Sequence, residues 1–400
     1  MIRYSQTVSS LRTSEIRDLM SLATRPDIIS FAGGMPGNEL FPVEEIDKIY
    51  NSLPLDIKQT GFQYGPTPGY PPLLDTLKEY LRKKGLPVDK NFLMITTGSL
   101  QAINIFGKVF IDPGDLVITE NPCFIGAISA FKSYRADLKG TDLNEDGIDI
   151  GMLKNFLDQH KSVPPKFIYL TLNFHNPAGT LYTQKRKEEL VSVLKEHDLL
   201  LIEDDAYGDL YFDKEAEKRT VPLKAMYEDD LTICYTGSFS KILGPGFRLG
   251  WMLVPEDIYR KAELCKQSID ACSPNFTQVL ANEFVKSGRI YDYVEHMRAV
   301  YKRRKDSMAA AIHKYFPEEI TWNEPRGGFY IWLKLPPQID IMSVLKKSIE
   351  KGAVFVIGKT FDPEGKDNSH FRLSYSNTAE DKIGRGIKII GEVLKEELKK

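Results

Sequence analysis

Short apolar runs separated by turn-forming residues recur along the middle of the chain. Runs of this length, when Gly, Pro, Asp or Asn bound them, are typical of buried β-strands. They lie at Leu116–Thr119, Lys166–Leu172, Leu199–Ile202, Leu231–Tyr235 and Leu249–Val254. We therefore predict a buried strand at each of these positions.

Amphipathic stretches between these runs predict helices. Thr183 has the side chain of an N-cap, and Leu190, Val191 and Leu194 follow it on one face of a helix. A second helix is predicted over residues 98–110. Alternating strands and helices predict an α/β fold, in which a mostly parallel sheet is sandwiched by helices. In such folds ligands bind at the carboxyl ends of the strands, so the chemistry should lie just after the apolar runs.

The N-terminal part of the chain has a different pattern. Ile16, Leu19, Met20 and Ala23 have the spacing of one face of an amphipathic helix, and the turn-rich stretch Phe31–Gly37 follows them. A segment of this kind can fold over a cleft as an arm. We therefore expect it to cover a cleft.

The pattern changes again after about residue 280. A long charged helix is predicted at Ile290–Phe316, and apolar segments follow at Gly327–Leu333 and Phe371–Ser374. These elements predict a smaller α+β domain. The predicted division is an N-terminal arm over residues 1–40 that packs with the small domain, a large domain over 41–280, and the small C-terminal domain over 281–400.

Composition narrows the class of partner. The chain has 400 residues, 53 of them Lys or Arg and 55 Asp or Glu, so no strong field favours nucleic acid or an anionic membrane. Neither a signal-peptide core at the start nor a run approaching the roughly 20 apolar residues of a membrane span is present in the sequence. A small-molecule substrate is therefore the expected partner.

The cysteines indicate the compartment. Cys123, Cys234, Cys265 and Cys272 are scattered, without the close pairs of a zinc site or a redox motif. No metal site is expected from them. We expect a reducing, cytoplasmic setting.

Three consecutive carboxylates follow one of the predicted strands. Glu203, Asp204 and Asp205 come directly after Leu201–Ile202, and Tyr207 lies two residues further on. Such a run can be solvated loop charge, but its place at a strand end favours a functional position. A charged carboxylate there can pair with a protonated ring nitrogen, because opposite charges favour each other's ionised form. Asp204 is the candidate, and Tyr207 alone is as compatible with packing as with chemistry.

The next predicted strand runs into a segment rich in Ser and Gly. Ser238, Ser240, Lys241 and Arg248 lie close together in it. Serine hydroxyls and a bidentate arginine suit a phosphate dianion, and a partly desolvated lysine can lose its proton and add to a carbonyl. The spacing is not that of a nucleotide P-loop. A surface turn with incidental charges is the alternative.

Two further segments can contribute to the same pocket. Ser99 lies at the start of the predicted helix, where free N–H groups and the helix dipole can receive a phosphate. Asn176 follows a predicted strand in a turn, and its amide can hydrogen-bond an oxygen of a cofactor or substrate.

Together these motifs resemble those of the class I/II aminotransferases of pyridoxal-phosphate (PLP) fold type I. The matching motifs are Asn-Pro-x-Gly from Asn176, Asp-x-x-Tyr from Asp204, Ser-x-Ser-Lys ending at Lys241 with Arg248 downstream, and Phe-Arg-Leu-Ser containing Arg372. A closer resemblance is to the branch with 2-aminoadipate, kynurenine and aromatic aminotransferases. It is carried by Ile16-Arg17, Phe31-Ala32-Gly33-Gly34 with Pro36, and Gln63-Tyr64-Gly65-Pro66-Thr67 with Gly69-Tyr70.

The resemblance implies PLP as the cofactor and a ping-pong transfer of the amino group. An L-amino acid of 2-aminoadipate, aromatic, kynurenine or branched-chain type would give its amino group to a 2-oxo acid, 2-oxoglutarate being the expected acceptor. Lys241 would form the Schiff base and shuttle the proton, and Asp204 would pair with the pyridinium nitrogen. Tyr207 and Asn176 would bond the ring 3′-oxygen. The other cofactor contacts implied are Ser99, the backbone of Leu100, the stacking ring of Phe124, Ser238, Ser240 and Arg248.

The resemblance also implies substrate contacts and an assembly. Arg372 would bind the α-carboxylate in a bidentate fork, beside Asn176, and Gly34 lies where the arm closes. Arg17 would meet the distal group of the substrate, although a solvent-facing charge is the alternative. Tyr64 would reach the phosphate of the neighbouring subunit, which implies a homodimer.

Three positions differ from the pattern common in this branch. Phe124 replaces a tyrosine and keeps the stacking face without the hydroxyl. Leu100 replaces a glutamine, which leaves its backbone N–H contact intact. His175 replaces the glutamine before Asn-Pro and is expected to pack or to hydrogen-bond behind the site.

Other functions share some of these residues. A PLP-dependent lyase or racemase would also use Lys241, Asp204 and Arg248. A non-catalytic effector-binding module with this fold would carry an N-terminal DNA-binding segment, whereas the sequence begins almost directly with the arm. A nucleotide-binding α/β protein would have a glycine-rich phosphate loop after its first strand, and we find none that fits.

Overall fold

A computed structural model describes residues 3–10, 25 and 27–400 of the chain. Near the N-terminus it has helix α1 (Gln6–Ser10) and strand β1 (Ile29–Ser30). Strand β1 pairs in parallel with residues Ala353–Val354, so this part of the predicted arm is tied to the C-terminal part of the chain. The amphipathic helix predicted around Ile16 lies outside the described residues.

The larger sheet has eight strands within the described residues. They are β2 (Phe92–Thr96), β3 (Leu116–Asn121), β4 (Asp137–Asn144), β5 (Gly147–Ile148), β6 (Ile168–Leu170), β7 (Leu201–Asp205), β8 (Ile233–Ser238) and β9 (Gly250–Val254). Their order in the sheet is β2-β9-β8-β7-β6-β3-β4-β5. Strands β4, β3, β6, β7 and β8 are parallel neighbours, whereas β9 runs antiparallel to β8 and β2. The prediction of a mostly parallel sheet is confirmed.

Each of the five apolar runs overlaps an observed strand, but three strands extend further than their runs, β3 by two residues to Asn121. Strand β7 continues through Asp205 and β8 through Ser238, because the polar side chains at these ends are buried with hydrogen-bonding partners. Strands β2, β4 and β5 were not predicted, and β4 lies near the sheet edge with mostly polar residues and only Leu138 and Thr141 buried.

Helices cover both faces of this sheet. The helices of this part are α2 (Val43–Ser52), α3 (Leu55–Phe62), α4 (Pro71–Lys83), α5 (Ser99–Phe110), α6 (Ile125–Ser133), α7 (Ile150–Gln159), α8 (Gln184–Glu196), α9 (Lys214–Arg219), α10 (Leu223–Tyr227), α11 (Glu256–Gln267) and α12 (Asn275–Lys286). Adjacent strand residues belong to different buried clusters: Leu201 lies in the cluster that contains Leu190 and Leu194 of α8, while Ile202 lies in the cluster that contains Ile105 of α5. The sheet is therefore sandwiched, as predicted.

The predicted helix starts are confirmed. The Thr183 hydroxyl caps α8 by accepting a hydrogen bond of 3.1 Å from the backbone N–H of Arg186. Helix α5 follows Gly98, whose φ of 75° is a left-handed conformation that favours glycine.

The C-terminal part is built around a smaller antiparallel sheet. Its elements are α13 (Arg289–Tyr315), β10 (Thr321–Trp322), β11 (Tyr330–Lys334), α14 (Ile341–Glu350), β12 (Ala353–Val354), β13 (Val356–Ile357), β14 (His370–Ser374) and α15 (Glu380–Leu398). Strands β10-β11-β14-β13 form the sheet in that order, and β12 pairs with β1. Short 3-10 helices lie at Asn38–Leu40, Phe239–Lys241, Pro245–Phe247 and Gly358–Phe361. Among the described residues, no helix is long and apolar enough to cross a membrane.

Candidate active site

The three carboxylates at the end of β7 are all buried, so they are not solvated loop charges. Glu203 accepts hydrogen bonds of 2.9 and 3.0 Å from the backbone N–H groups of Leu223 and Lys224. Asp205 accepts from the backbone of Gly208, the amide of Asn173 and the hydroxyl of Tyr235. Strand alternation directs Asp204 to the opposite face of the sheet from these two residues. Two of the three carboxylates therefore have structural partners, and Asp204 is left for chemistry.

Asp204 has one satisfied and one unsatisfied oxygen. The hydroxyl of Tyr169 donates to its Oδ2 over 2.6 Å, whereas its buried Oδ1 has no hydrogen-bond partner among the described residues. Burial raises the pKa of this carboxyl from 3.8 to about 7, and the nearby carboxylates of Asp205 and Glu120 act in the same direction. A protonated ring nitrogen at Oδ1 would supply the missing donor and positive charge. The buried carboxylate with one unpartnered oxygen therefore fits the pyridinium nitrogen of PLP.

Lys241 lies on the turn after β8, and its amine is directed to the arm. The Nζ donates a hydrogen bond of 2.8 Å to the carbonyl oxygen of Gly34. Burial lowers the pKa of this amine to about 8, and the positive charges of Arg372 and Arg248 act in the same direction. A lysine with a lowered pKa can act as a nucleophile near neutral pH.

A cradle forms where β9, Arg248 and the start of α5 meet. A Cβ on Gly98 would lie 2.9 Å from Nη2 of Arg248, and a Cβ on Gly250 would lie 2.6 Å from backbone atoms of both Gly98 and Ser99. The glycines thus allow the guanidinium and the helix N-terminus to come together. Free N–H groups and a guanidinium in this arrangement suit an anion.

The cradle is supported by a buried network that the sequence analysis missed. Asp270 accepts hydrogen bonds from the hydroxyl of Thr97, the amide of Gln101 and the ammonium of Lys266. Lys266 is fully buried and also donates to Ser273. The spacing of four residues between Lys266 and Asp270 could have indicated the pair, but the sequence gives no sign of the distant partner Thr97.

Serines 238 and 240 lie at the same strand end. The side-chain oxygen of Ser238 accepts a hydrogen bond of 3.0 Å from the backbone N–H of Ser240, which starts the turn that carries Lys241. The two serines and Lys241 are thus fixed relative to one another by one short 3-10 helix.

Arg372 is buried at the other wall of the site. It donates to Oδ1 of Asn176 over 2.8 Å and to the carbonyl oxygen of Ala32, while its Nε has no partner among the described residues. Its guanidinium carbon lies 4.4 Å from the ring centre of Tyr330 and 4.8 Å from that of Phe361. Burial lowers the pKa of the guanidinium, and the groups that oppose this shift among the described residues are the tyrosines Tyr330 and Tyr207 rather than a carboxylate. Arg372 is therefore available for an external carboxylate.

Tyr207 has a partner that the sequence analysis did not identify. Its hydroxyl lies 2.9 Å from the hydroxyl of Tyr330, and both side chains are buried. In the sequence, Tyr330 was predicted only to belong to the apolar segment Gly327–Leu333 of the smaller domain. A polar hydroxyl in an otherwise apolar strand was the signal that could have marked it.

His175 lies behind the site, as predicted. Its Nδ1 accepts a hydrogen bond of 3.2 Å from the backbone N–H of Ala178, and its Nε2 lies 3.2 Å from the fully buried carboxylate of Glu120. The latter contact lacks good hydrogen-bond geometry. Glu120 also accepts from the hydroxyl of Tyr182, so it supports the turn that carries Asn176.

Some predicted site residues stay at the surface of the single chain. The side chain of Tyr64 is 86% exposed, and that of Leu100 is 40% exposed. Phe124 is half-buried beside Leu100, since a Cβ on Gly126 would touch both. Arg17 lies outside the described residues.

Comparison with known proteins identifies the family. Residues 27–390 match the family described as aminotransferase class I and II. The chain belongs to this family. This aminotransferase is a PLP-dependent enzyme of fold type I, as the resemblance of the motifs implied.

Relatives are similar over nearly the whole length of this aminotransferase. Aromatic-amino-acid aminotransferase 1 of Thermococcus litoralis is 36% identical, with 99% of this chain and 95% of the relative covered. The kynurenine aminotransferase of Pyrococcus horikoshii, solved in complex with PMP, has a TM-score of 0.94 and 37% identity, with 99% and 98% of the two chains covered. The α-aminoadipate aminotransferase of Thermus thermophilus, complexed with N-(5'-phosphopyridoxyl)-L-leucine, has a TM-score of 0.89 and 31% identity, with the same coverage.

Proposed function

We propose that this aminotransferase transfers the amino group of an aromatic, kynurenine-type or 2-aminoadipate-type L-amino acid to 2-oxoglutarate. The donor classes are those named for its relatives. One observation carries the proposal: Asp204 keeps one buried oxygen without a partner among the described residues, while the Lys241 amine has a lowered pKa in the same site. A carboxylate for the ring nitrogen and an amine for the carbonyl are the two groups that PLP requires.

PLP, when bound, supplies an electron sink for the bond that breaks at the substrate α-carbon. Lys241 is proposed to hold the cofactor covalently and, once released, to carry the proton from the α-carbon as a general base. Asp204 keeps the ring nitrogen protonated. Tyr207 and Asn176 orient the ring through its 3′-oxygen.

The phosphate is proposed to lie in the cradle at the start of α5. The contacts are Ser99, the backbone N–H of Leu100, Ser238, Ser240 and Arg248, with the ring of Phe124 stacked on the cofactor. The dipole of α5 and the guanidinium of Arg248 both favour a dianion there.

Arg372 is proposed to bind the α-carboxylate of the substrate. Its Nε has no partner among the described residues, and Tyr330 stacks on the face of the guanidinium rather than on its edge. One edge can therefore form a bidentate pair with a substrate carboxylate. Displacement of the Asn176 side chain from Arg372 would free that amide for the cofactor or substrate. Gly34 would move with the arm as the Lys241 amine leaves its carbonyl.

The assembly is proposed to be a homodimer. Tyr64, which is exposed in the single chain, would reach the partner's phosphate site. The proposed domains are an arm (1–40), a large domain (41–280) and a small domain (281–400), and Arg17 of the arm is proposed to meet the distal group of the substrate.

The proposed location is the cytoplasm, because the four cysteines are free thiols, as is usual in a reducing compartment.

The proposed function is tested by following the two half-reactions separately. Purified holoprotein should lose its visible absorption band when an amino-acid donor is added without an acceptor, and regain it when 2-oxoglutarate replaces the donor. A panel of donors at fixed 2-oxoglutarate ranks the side chains. Release of ammonia, or loss of donor chirality without formation of an oxo acid, would instead indicate a lyase or a racemase.

A matched variant tests the substrate arginine. Arg372→Lys keeps the charge but removes the bidentate fork, so kcat/KM should fall on the order of a hundredfold for every donor. Arg17→Ala should change only the ranking of donors. An equal effect of Arg17→Ala on all donors would contradict its proposed role.

A further inference from the structure

Tyr330 occupies a point where three parts of the site meet. Its hydroxyl lies 2.9 Å from that of Tyr207, and its ring lies 4.4 Å from the guanidinium carbon of Arg372. A Cβ on Gly34 would overlap the Tyr330 hydroxyl, so the arm approaches this hydroxyl closely. Tyr330 is only 1% exposed. Such a buried hydroxyl needs a hydrogen-bond partner, and Tyr207 supplies it.

Each hydroxyl of the pair can donate one proton, and the contact itself allows either donor. The roles become fixed when Tyr207 donates to another oxygen. The oxygen of Tyr207 then has only its lone pairs left for Tyr330, so Tyr330 has to be the donor. The two hydroxyls form a chain with one direction.

We propose that Tyr330 is a positioning residue whose hydroxyl donates to Tyr207 and thereby strengthens the donation of Tyr207 to the 3′-oxygen of the cofactor. The inference rests on the proposed function, since it needs PLP bound at Lys241 with its 3′-oxygen at Tyr207. It adds to that function a second hydroxyl that does not itself touch the cofactor.

Two physical effects support this chain. Successive hydrogen bonds polarise one another in a buried setting, so a donor that itself accepts a hydrogen bond donates more strongly. The contact also fixes the Tyr207 ring, which packs edge-to-face on both Phe329 and Tyr330. Removal of the Tyr330 hydroxyl leaves these ring contacts in place.

The expected consequence is a change in the proton affinity of the linkage between Lys241 and the cofactor. Donation to the 3′-oxygen favours the form in which that oxygen bears an uncompensated negative charge. This is the form that has lost the proton from the linkage nitrogen. A weaker donation therefore raises the pKa of that nitrogen. The other charged and titratable groups facing the tyrosine pair are Arg372, Asp204 and Tyr375.

The test compares four holoproteins: wild type, Tyr330→Phe, Tyr207→Phe and the double variant. The visible spectrum of each is titrated with pH in the absence of substrate, and the dissociation constant for PLP is measured in parallel. Tyr330→Phe should raise the pKa of the linkage by roughly half a unit to one unit. In the Tyr207→Phe background the same substitution should produce no further shift.

Tyr293→Phe is the matched control, because the Tyr293 hydroxyl is buried without a partner among the described residues and lies outside the site. It should titrate like wild type. An unshifted titration of Tyr330→Phe overturns the inference, and so does a shift that persists in the Tyr207→Phe background, which would indicate an effect through Arg372. If wild type itself lacks a pH-dependent visible band, the proposed function fails first and the inference fails with it.

Discussion

The hydroxyl of Tyr169 donates a hydrogen bond of 2.6 Å to Oδ2 of Asp204, and both residues are buried. Tyr169 belongs to β6 and Asp204 to the neighbouring strand β7. The bond occupies Oδ2 of the carboxylate, while Oδ1 has no partner among the described residues. Its effect on Asp204 is to stabilise the charged form against the cost of burial.

Tyr169→Phe should weaken PLP binding on the order of tenfold, because a hydrogen bond to a buried charge is lost. The substitution keeps the ring and its edge-to-face contact with Phe131. The dissociation constant is measured by equilibrium titration of apoprotein with PLP. Tyr293→Phe should bind PLP as wild type does, and equal binding by Tyr169→Phe would show that Asp204 does not need this donor.

The apoprotein should react with PLP faster as the pH rises towards 8. Burial and two nearby arginines lower the pKa of the Lys241 amine to about 8, so the neutral nucleophile becomes abundant near that pH. The rate of appearance of the visible band, measured by stopped flow, reports the titration. A midpoint near the ordinary lysine pKa of about 10.4 would contradict the lowered value.

Asp204 should make the apoprotein less stable as the pH rises from about 4 to about 7. In the folded apoprotein its pKa is raised from 3.8 to about 7, so the folded state binds more protons than the unfolded state within this window. The free energy of unfolding therefore falls with increasing pH there. Thermal melts of wild-type and Asp204→Asn apoprotein across this range measure the difference.

Asp204→Asn should remove this component of the pH dependence and should be more stable than wild-type apoprotein above pH 7. Glu203, whose pKa burial also raises to about 7, is present in both proteins and cancels in the comparison. With PLP bound the order should reverse, because only the carboxylate pairs with the protonated ring. Parallel pH profiles of the two apoproteins would contradict the assignment.

Asp270→Asn should destabilise the protein and weaken phosphate binding together. It leaves the buried Lys266 ammonium without its charged partner, at a cost of roughly 2–4 kcal/mol in the free energy of unfolding. It also weakens the hold on Thr97 and Gln101 below the cradle. Denaturant unfolding and competition of inorganic phosphate with PLP measure the two effects.

The control for Asp270→Asn is Glu256→Gln in the same region. Glu256 pairs with Arg260 on the exposed face of α11, where a salt bridge contributes little. Its loss should change neither stability nor phosphate binding. If Asp270→Asn behaves in the same way, the network below the cradle has no supporting role.

The sequence predicted the fold and much of the site where the signal is local. Apolar runs marked five of the strands, and Thr183 marked a helix start. Lys241 and Asp204 were found because strand ends and the order of motifs along the chain carry information. Their roles rest on the family resemblance, whereas the contact of Lys241 with the arm and the burial of Asp204 come from the structure.

The rest depends on long-range packing that no local pattern contains. Tyr169 lies 35 positions before Asp204, Tyr330 lies 123 positions after Tyr207, and Asp270 lies 173 positions after Thr97. The local pattern around Tyr330 and Asp270 can mark them as unusual but does not show which distant residue each one contacts. Their importance follows from hydrogen bonds that form only when distant segments pack together.

The role proposed for Lys241 is to hold PLP for amino transfer. Its most direct test is borohydride reduction of the holoprotein, followed by proteolysis and mass mapping of the labelled peptide. We expect one phosphopyridoxyl group on Lys241, and protection of that lysine from labelling when an amino-acid donor is added before reduction. A label on another lysine, or the absence of any label, would contradict it.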